Sequence, residues 1–178
     1  PSRIADVGVV KDLATHDIDL TAWIAQSGYT AVSARTAHRS GREHEDLVLV
    51  TGQLKNGIVV NHVVNWLSPK KERSTVVTGA KGAFLADTAT GDLTFFENGT
   101  TPTAWDSVAA FRGVSEGDVT RFALAKREPL VVEQETFRDA VLGEQTDVVT
   151  MAEGLRTLTV AEAVLESART GSTVALPD

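Results

Sequence analysis

The pair Asn56-Gly57 constrains the fold of this chain more than any other feature. Both residues tolerate positive φ and each flank is an apolar stretch of strand length, so the pair predicts a tight β-hairpin. Residues 46–54 set Leu47, Leu49 and Thr51 against Val48 and Val50, the two-residue period of a strand, and residues 58–67 form the returning arm. Further β-branched stretches predict strands at 29–38, 74–78, 83–87, 93–97 and 118–125, with glycine turns at Gly79, Gly82 and Gly91. The ends of the chain have helical periodicity instead. Residues 11–26 read as an amphipathic helix stopping near Gly28, and residues 130–142 follow a Pro129 suited to a first turn. Residues 152–169 present Leu155, Leu158, Ala161, Val164 and Leu165 on one face before Gly171 closes the helix. Hairpin-linked strands between helices predict an α+β domain, with a largely antiparallel open β-sheet and helices packed on one face.

The arm 58–67 is apolar on both sides: His62, Val64 and Trp66 share one face, while Val63, Asn65 and Leu67 share the other. A second copy of the chain covering the open face would account for this, predicting a homo-oligomer. Trp66 filling a corner of the core accounts for it equally well.

Composition excludes several classes of function. The 178 residues suffice for one domain with a substantial core, and 42% hydrophobic with 23% charged residues is an ordinary globular balance. A net charge of -7 and the lack of a basic stripe argue against a nucleic-acid partner. No apolar run approaches the roughly 18 residues of a membrane span, and no leader pattern opens the sequence, so no membrane partner is expected. The absence of cysteine rules out disulfides and thiolate metal sites and fits a cytoplasmic protein. His38 and His44, near Glu43, Glu45 and Asp46, lie in a polar connection whose spacing does not converge them, so no metal site is expected. No Gly-x-Ser-x-Gly turn supports hydrolase chemistry.

The run Asp12-Leu13-Ala14-Thr15-His16-Asp17-Ile18-Asp19-Leu20 concentrates the acid and base groups. At about 3.6 residues per turn, Asp12, His16 and Asp19 fall near one helix face, while Leu13, Ile18 and Leu20 help bury another. A carboxylate within reach of an imidazole can hold the ring's orientation and tautomer, which suits proton transfer from a hydroxyl. On spacing alone, a partly solvated ion pair is the more frequent outcome.

This run, followed by Trp23, resembles the stretch that opens the second domain of the glucose-fructose oxidoreductase and inositol dehydrogenase (Gfo/Idh/MocA) family. Further matches follow in order: Asn65-Trp66-Leu67-Ser68-Pro69-Lys70-Lys71-Glu72-Arg73, Val77-Thr78-Gly79-Ala80-Lys81-Gly82, and Glu128-Pro129-Leu130 leading to Glu133 and Phe137. The resemblance is strongest at residues 7–24 and 65–87 and weak between 98 and 120. It implies that residues 1–178 form the substrate-binding and oligomerisation domain of a two-domain dehydrogenase, with a dihydrodipicolinate-reductase-like fold. The N-terminal Rossmann domain is not in this chain, and Pro1-Ser2-Arg3-Ile4 reads as the middle of a longer one. Neither a Gly-x-Gly-x-x-Gly turn nor the family's Glu-Lys-Pro turn occurs, and Arg127-Glu128-Pro129 lies in the wrong half to replace the latter. NAD or NADP is therefore expected to be bound mainly by the absent domain, with no cofactor-binding residue here.

By the residue-for-residue match, His16 would be the general acid/base, and Asp12 would orient it or share its charge. Thr15 has a lesser claim on substrate or cofactor, and Asp19 is expected to cap or pair locally. Lys70 and Arg73 could meet a substrate phosphate or carboxylate, although charges in a solvated turn are more common there. The implied reaction is reversible oxidation of a secondary hydroxyl on a sugar, an inositol or other polyol, or a nucleotide sugar, with the isolated chain catalytically silent. A non-catalytic binding or oligomerisation module that keeps the fold is the alternative. Residues 98–117 read as a long loop with a short helix inside, forming a substrate rim or an arm to another subunit.

Overall fold

The computed structural model describes residues 6–99 and 115–177. At its centre, β2 (Leu47–Leu54) and β3 (Val59–Asn65) pair antiparallel around the Asn56-Gly57 turn. Only Gly57 takes positive φ, at 85°, and Leu54 exchanges backbone hydrogen bonds with Gly57 and Ile58, both 2.9 Å. This is a three-residue loop ending in a left-handed glycine. Asn56 contributes through its side chain, whose Oδ1 accepts from the Ile58 N–H and whose Nδ2 donates to the Ala25 carbonyl.

The remaining elements follow in order. A π-helical turn, Val10–Ala14, runs into α1 (Thr15–Ala25), and β1 (Tyr29–Ala37) precedes the hairpin. Beyond it come β4 (Ser74–Gly79), β5 (Gly82–Asp87), β6 (Asp92–Gly99) and β7 (Ser115–Phe122). The chain ends with α2 (Pro129–Val141), α3 (Met151–Thr170) and the two-residue β8 (Val174–Ala175). The architecture is α+β with antiparallel strands, in two four-stranded sheets ordered β3-β2-β1-β8 and β4-β5-β6-β7. Asn65 explains the division: its Oδ1 accepts from the Leu67 and Ser68 N–H groups at 2.9 and 2.8 Å, turning the chain out of the first sheet before Pro69.

Two compact units result, one comprising the chain up to Pro69 and from Asp147 onward, the other running from Lys70 to Thr146. In the first unit, the π-helical turn, α1 and α3 pack together, and α3 lies against β1. Val48, Val50 and Leu54 of β2 meet Val9, Val10, Ala14 and Ile18 from the N-terminal helical segment and Val160, Ala161 and Val164 from α3. β2 alternates as predicted, whereas a register irregularity between Tyr29 and Ala31 turns both Tyr29 and Val32 inward. The opposite face of the sheet is open: Leu49, Val59 and Val63 are 47%, 76% and 63% exposed. Trp66 is partly buried against the core, beside the inward-facing His62 and Val64.

In the second unit, Asp87 Oδ1 accepts from the Ala89 and Thr90 N–H groups and Gly91 takes φ 68°, closing the β5–β6 turn. The Glu128 side chain accepts from the Val131 N–H and Pro129 opens α2, so the Arg127-Glu128-Pro129 run is a helix cap. Of the segment 98–117, residues 98 and 99 end β6 and 115–117 begin β7; 100–114 lie outside the described residues.

Two expectations shift, and one short strand is new. The first helix ends at Gln26, not near Gly28: Gln26 is left-handed at φ 49°, and its side-chain amide donates to the Trp23 carbonyl at 2.6 Å. The buried face of α3 is Val160, Ala161, Ala163, Val164 and Ser167, and Leu155 and Leu158 stay exposed. β8, too short to leave a periodic signal, pairs with β1 through Ala31 and Val32 only.

β2 pairs with the inner edge of β1 along its length, and beyond the short β8 pairing the outer edge is held by a side chain. The Ser167 hydroxyl, fully buried, accepts from the Ala34 N–H at 2.9 Å and donates to the Ser172 carbonyl at 2.7 Å. Ser167→Ala orphans both groups and is expected to lower stability by about 1–3 kcal/mol, measured by urea unfolding. The core also holds a polar pair, the Tyr29 hydroxyl and His62 Nε2 at 2.9 Å. Burial pushes the Tyr29 phenol up to about 12, with a hydrogen bond from Thr21 opposing and the Asp17 charge assisting. Burial also holds the His62 imidazole below its ordinary value, with Asp17 partly offsetting. The unfolded chain thus takes up a proton at His62 before the folded one does. Stability from this residue is complete above about pH 6.5 and falls as pH drops below it. Urea midpoints between about pH 7.5 and about pH 5.5 should decline less in His62→Gln than in the wild type.

Candidate active site

The segment carrying Asp12 and His16 is fixed at its start by one buried residue. The Glu45 carbonyl accepts from the Val9 N–H and its Oε1 from the Val10 N–H, each at 3.0 Å, and Glu45 is 7% exposed. Carbonyl and carboxylate of this one residue therefore each satisfy a donor that a helix start leaves unpaired. Gly8 makes room for it, since a Cβ there would collide with the Glu45 carboxylate. The Thr15 N–H then reaches back to the Val10 carbonyl, closing a π turn around Asp12. This wider turn holds an extra residue, which shifts the phase between Asp12 and the groups beyond it.

That shift bears on where the acid and base groups point. Asp12 is half-buried, and its Oδ2 accepts from the Trp66 indole Nε1 at 3.1 Å. His16, at the start of α1, is exposed, and no hydrogen bond joins it to Asp12. Asp17 acts electrostatically on the buried Tyr29 and His62. Asp19 Oδ1 accepts from the Thr157 hydroxyl on α3 at 3.1 Å, a tether between helices and not a local cap. The Thr15 hydroxyl donates to the Lys11 carbonyl, and Lys11 pairs with Glu162 at 2.6 Å. The structure thus keeps Asp12, Thr15 and His16 on one continuous helical segment and commits Asp19 to packing.

Lys70 and Arg73 belong to the second unit. There the Lys70 ammonium pairs with Glu72 at 3.2 Å, and the Arg73 carbonyl accepts from the Thr88 N–H at 3.0 Å. In the polar connection before β2, two adjacent acids bind backbone N–H groups. Glu45 caps the helical segment, while Asp46 accepts from the Arg39 and Ser40 N–H groups at 2.8 and 2.6 Å. Burial raises the Asp46 carboxyl, but those hydrogen bonds and the nearby His38 outweigh it, leaving the group below the usual carboxylate range. Among the described residues, no three His, Cys, Asp or Glu side chains cluster as metal ligands.

Trp66, which bonds Asp12, and Arg42, which covers Trp66, escape sequence reasoning. Trp66 is visible in sequence as a strand-end aromatic, but nothing there says that its N–H faces a residue in the first helix. The Arg42 guanidinium lies 4.4 Å from the Trp66 ring centroid, a cation–π contact that no local pattern announces.

The fold has many relatives of known structure. UDP-N-acetylglucosamine 3-dehydrogenase GnnA from Acidithiobacillus ferrooxidans matches with TM-score 0.77 and 23% identity over 93% of this chain and 50% of its own. The WlbA dehydrogenase from Bordetella pertussis, solved with NADH and UDP-GlcNAcA, gives 0.66 and 23% over 97% and 46%. Levoglucosan dehydrogenase, solved with NADH and levoglucosan, gives 0.77 and 17% over 97% and 51%. The chain therefore spans about half the length of these structures. No curated protein matches the sequence closely enough to count as a relative. A family model described as "Oxidoreductase family, C-terminal alpha/beta domain" matches residues 3–176. The chain belongs to that family, the C-terminal domain of the Gfo/Idh/MocA oxidoreductases.

Proposed function

We propose that this chain is the substrate-binding, C-terminal domain of an NAD(P)-dependent dehydrogenase that interconverts a secondary hydroxyl and a ketone on a sugar, an inositol or a nucleotide sugar. One observation carries the reading. An exposed imidazole, His16, sits one helical turn beyond a carboxylate, Asp12, that is held in place by an indole donor. The family membership and the sugar ligands named for WlbA and levoglucosan dehydrogenase support it.

In this reading His16 takes the hydroxyl proton as the carbon is oxidised and returns it in the reverse direction. Asp12, four residues earlier on the same helical segment, supplies a fixed negative charge toward the ring that becomes cationic. A nicotinamide ring, when bound, supplies the hydride acceptor. Among the described residues, no strand passes through a glycine turn into a helix in the manner of a dinucleotide cradle. In the same proposal the cofactor, NAD or NADP, is bound mainly by an N-terminal domain outside this chain. Thr15, Lys70 and Arg73 are proposed on the substrate side, the two cations suiting a phosphate or carboxylate. The same proposal includes a cytoplasmic setting and a homo-oligomer formed through the open face of the first sheet. No helix among the described residues is long and apolar enough to cross a membrane.

In the parent enzyme, assayed for NAD(P)H against inositols, aldoses and nucleotide sugars, His16→Ala is expected to lower kcat by about 10²- to 10⁴-fold while leaving dinucleotide affinity intact. Undiminished turnover would remove His16 from the chemistry, and micromolar NAD(H) binding by this chain alone would contradict the division of labour. Val63→Glu, on the exposed sheet face, should convert the oligomer to monomers in sedimentation. An unchanged mass would place the interface elsewhere.

A further inference from the structure

We infer that Trp66 is a positioning residue for Asp12, setting the carboxylate through its indole N–H; this rests on the catalytic reading of Asp12 and His16 proposed above. An indole has one donor and no acceptor, so the ring can serve Oδ2 in one orientation only. The residue is held at its backbone, at its ring face and at the turn that follows it. Its backbone N–H donates to the Asp46 carbonyl at 3.0 Å, the Arg42 guanidinium covers its face at 4.4 Å, and the preceding Asn65 locks the following turn.

Donor and acceptor share one support. Glu45 holds the start of the π turn that carries Asp12, and the next residue, Asp46, holds the Trp66 backbone. The Asp46 carboxylate also binds the backbone at Arg39 and Ser40, in the connection that brings Arg42 over the ring. The distance between the indole and Asp12 is thus set by two adjacent residues of the backbone. The indole engages Oδ2 and leaves the second carboxylate oxygen available to other donors. An unheld aspartate would sample several rotamers, and a misplaced charge loses effect in the transition state while ground-state binding changes little.

Trp66→Phe keeps a ring beneath Arg42 and removes the N–H, so it separates positioning from packing. In the parent enzyme it should lower kcat roughly ten- to hundredfold with little change in KM. The same change in an Asp12→Ala background should alter kcat by no more than about twofold, since the carboxylate it acts through is gone. Equal effects in both backgrounds would overturn the assignment, because a structural role for the ring does not depend on Asp12.

A second measurement needs no activity. In the ¹⁵N-tryptophan-labelled chain, the Trp66 indole resonance, assigned by its loss in Trp66→Phe, should move upfield in both Asp12→Asn and Asp12→Ala. A resonance indifferent to both variants would overturn the inference. A wild-type parent with no turnover on any substrate would count against the dehydrogenase reading instead, and the indole resonance would then decide the Trp66–Asp12 contact alone.

Discussion

The acidic dipeptide Glu45-Asp46 is the constraint on which the candidate site depends. Two carboxylates buried side by side are unfavourable unless each is given donors, and here each is answered by backbone N–H groups: Val10 for one, Arg39 and Ser40 for the other. What compensates their burial also organises the surroundings. Because the donors come from the first helical segment and from the connection before β2, satisfying the charges ties both to the sheet. The Trp66 N–H on the Asp46 carbonyl adds the end of β3 to the same junction. Charge satisfaction and site geometry are thus one set of bonds, and Gly8 is the vacancy in side-chain volume that lets them form.

The acidic run after Lys11 shows how one helix can divide dense chemistry among separate tasks. Asp12 turns to the sheet's end, Asp17 acts on a buried tyrosine and histidine, Asp19 ties to the last helix, and His16 is left to solvent. The exposed imidazole stands out because its neighbours are occupied. Of the four groups, His16 alone has an exposed side chain.

Much of this was legible in the sequence. The hairpin, the strand alternation, the three helices and the Pro129 start of α2 all rest on local rules, and the structure follows them closely. Asp12 and His16 stood out by spacing and by resemblance. What escaped was non-local or unmarked. A π turn has no residue signature, a two-residue strand has no period, and a left-handed Gln26 defies the preference for glycine. The turn by which the chain leaves the first sheet is held by a side-chain oxygen at Asn65. The indole that holds Asp12 lies 54 residues away, and the buried glutamate that caps the segment looked from its spacing like an ordinary loop acid.

The order of elements has a consequence for how the chain acquires its structure. The first unit is interrupted: its sheet and first helices are made before Pro69, but α3 and β8 arrive only after the entire second unit has been synthesised. The apolar inner face of β1 and β2 must wait for α3, and the outer edge of β1 for Val174 and Ala175. A nascent chain on the ribosome can complete the β4–β7 meander by local pairing, each strand finding the one just before it. The first unit can only close late, across a long loop, and in the interval it offers an uncovered apolar surface to chaperones.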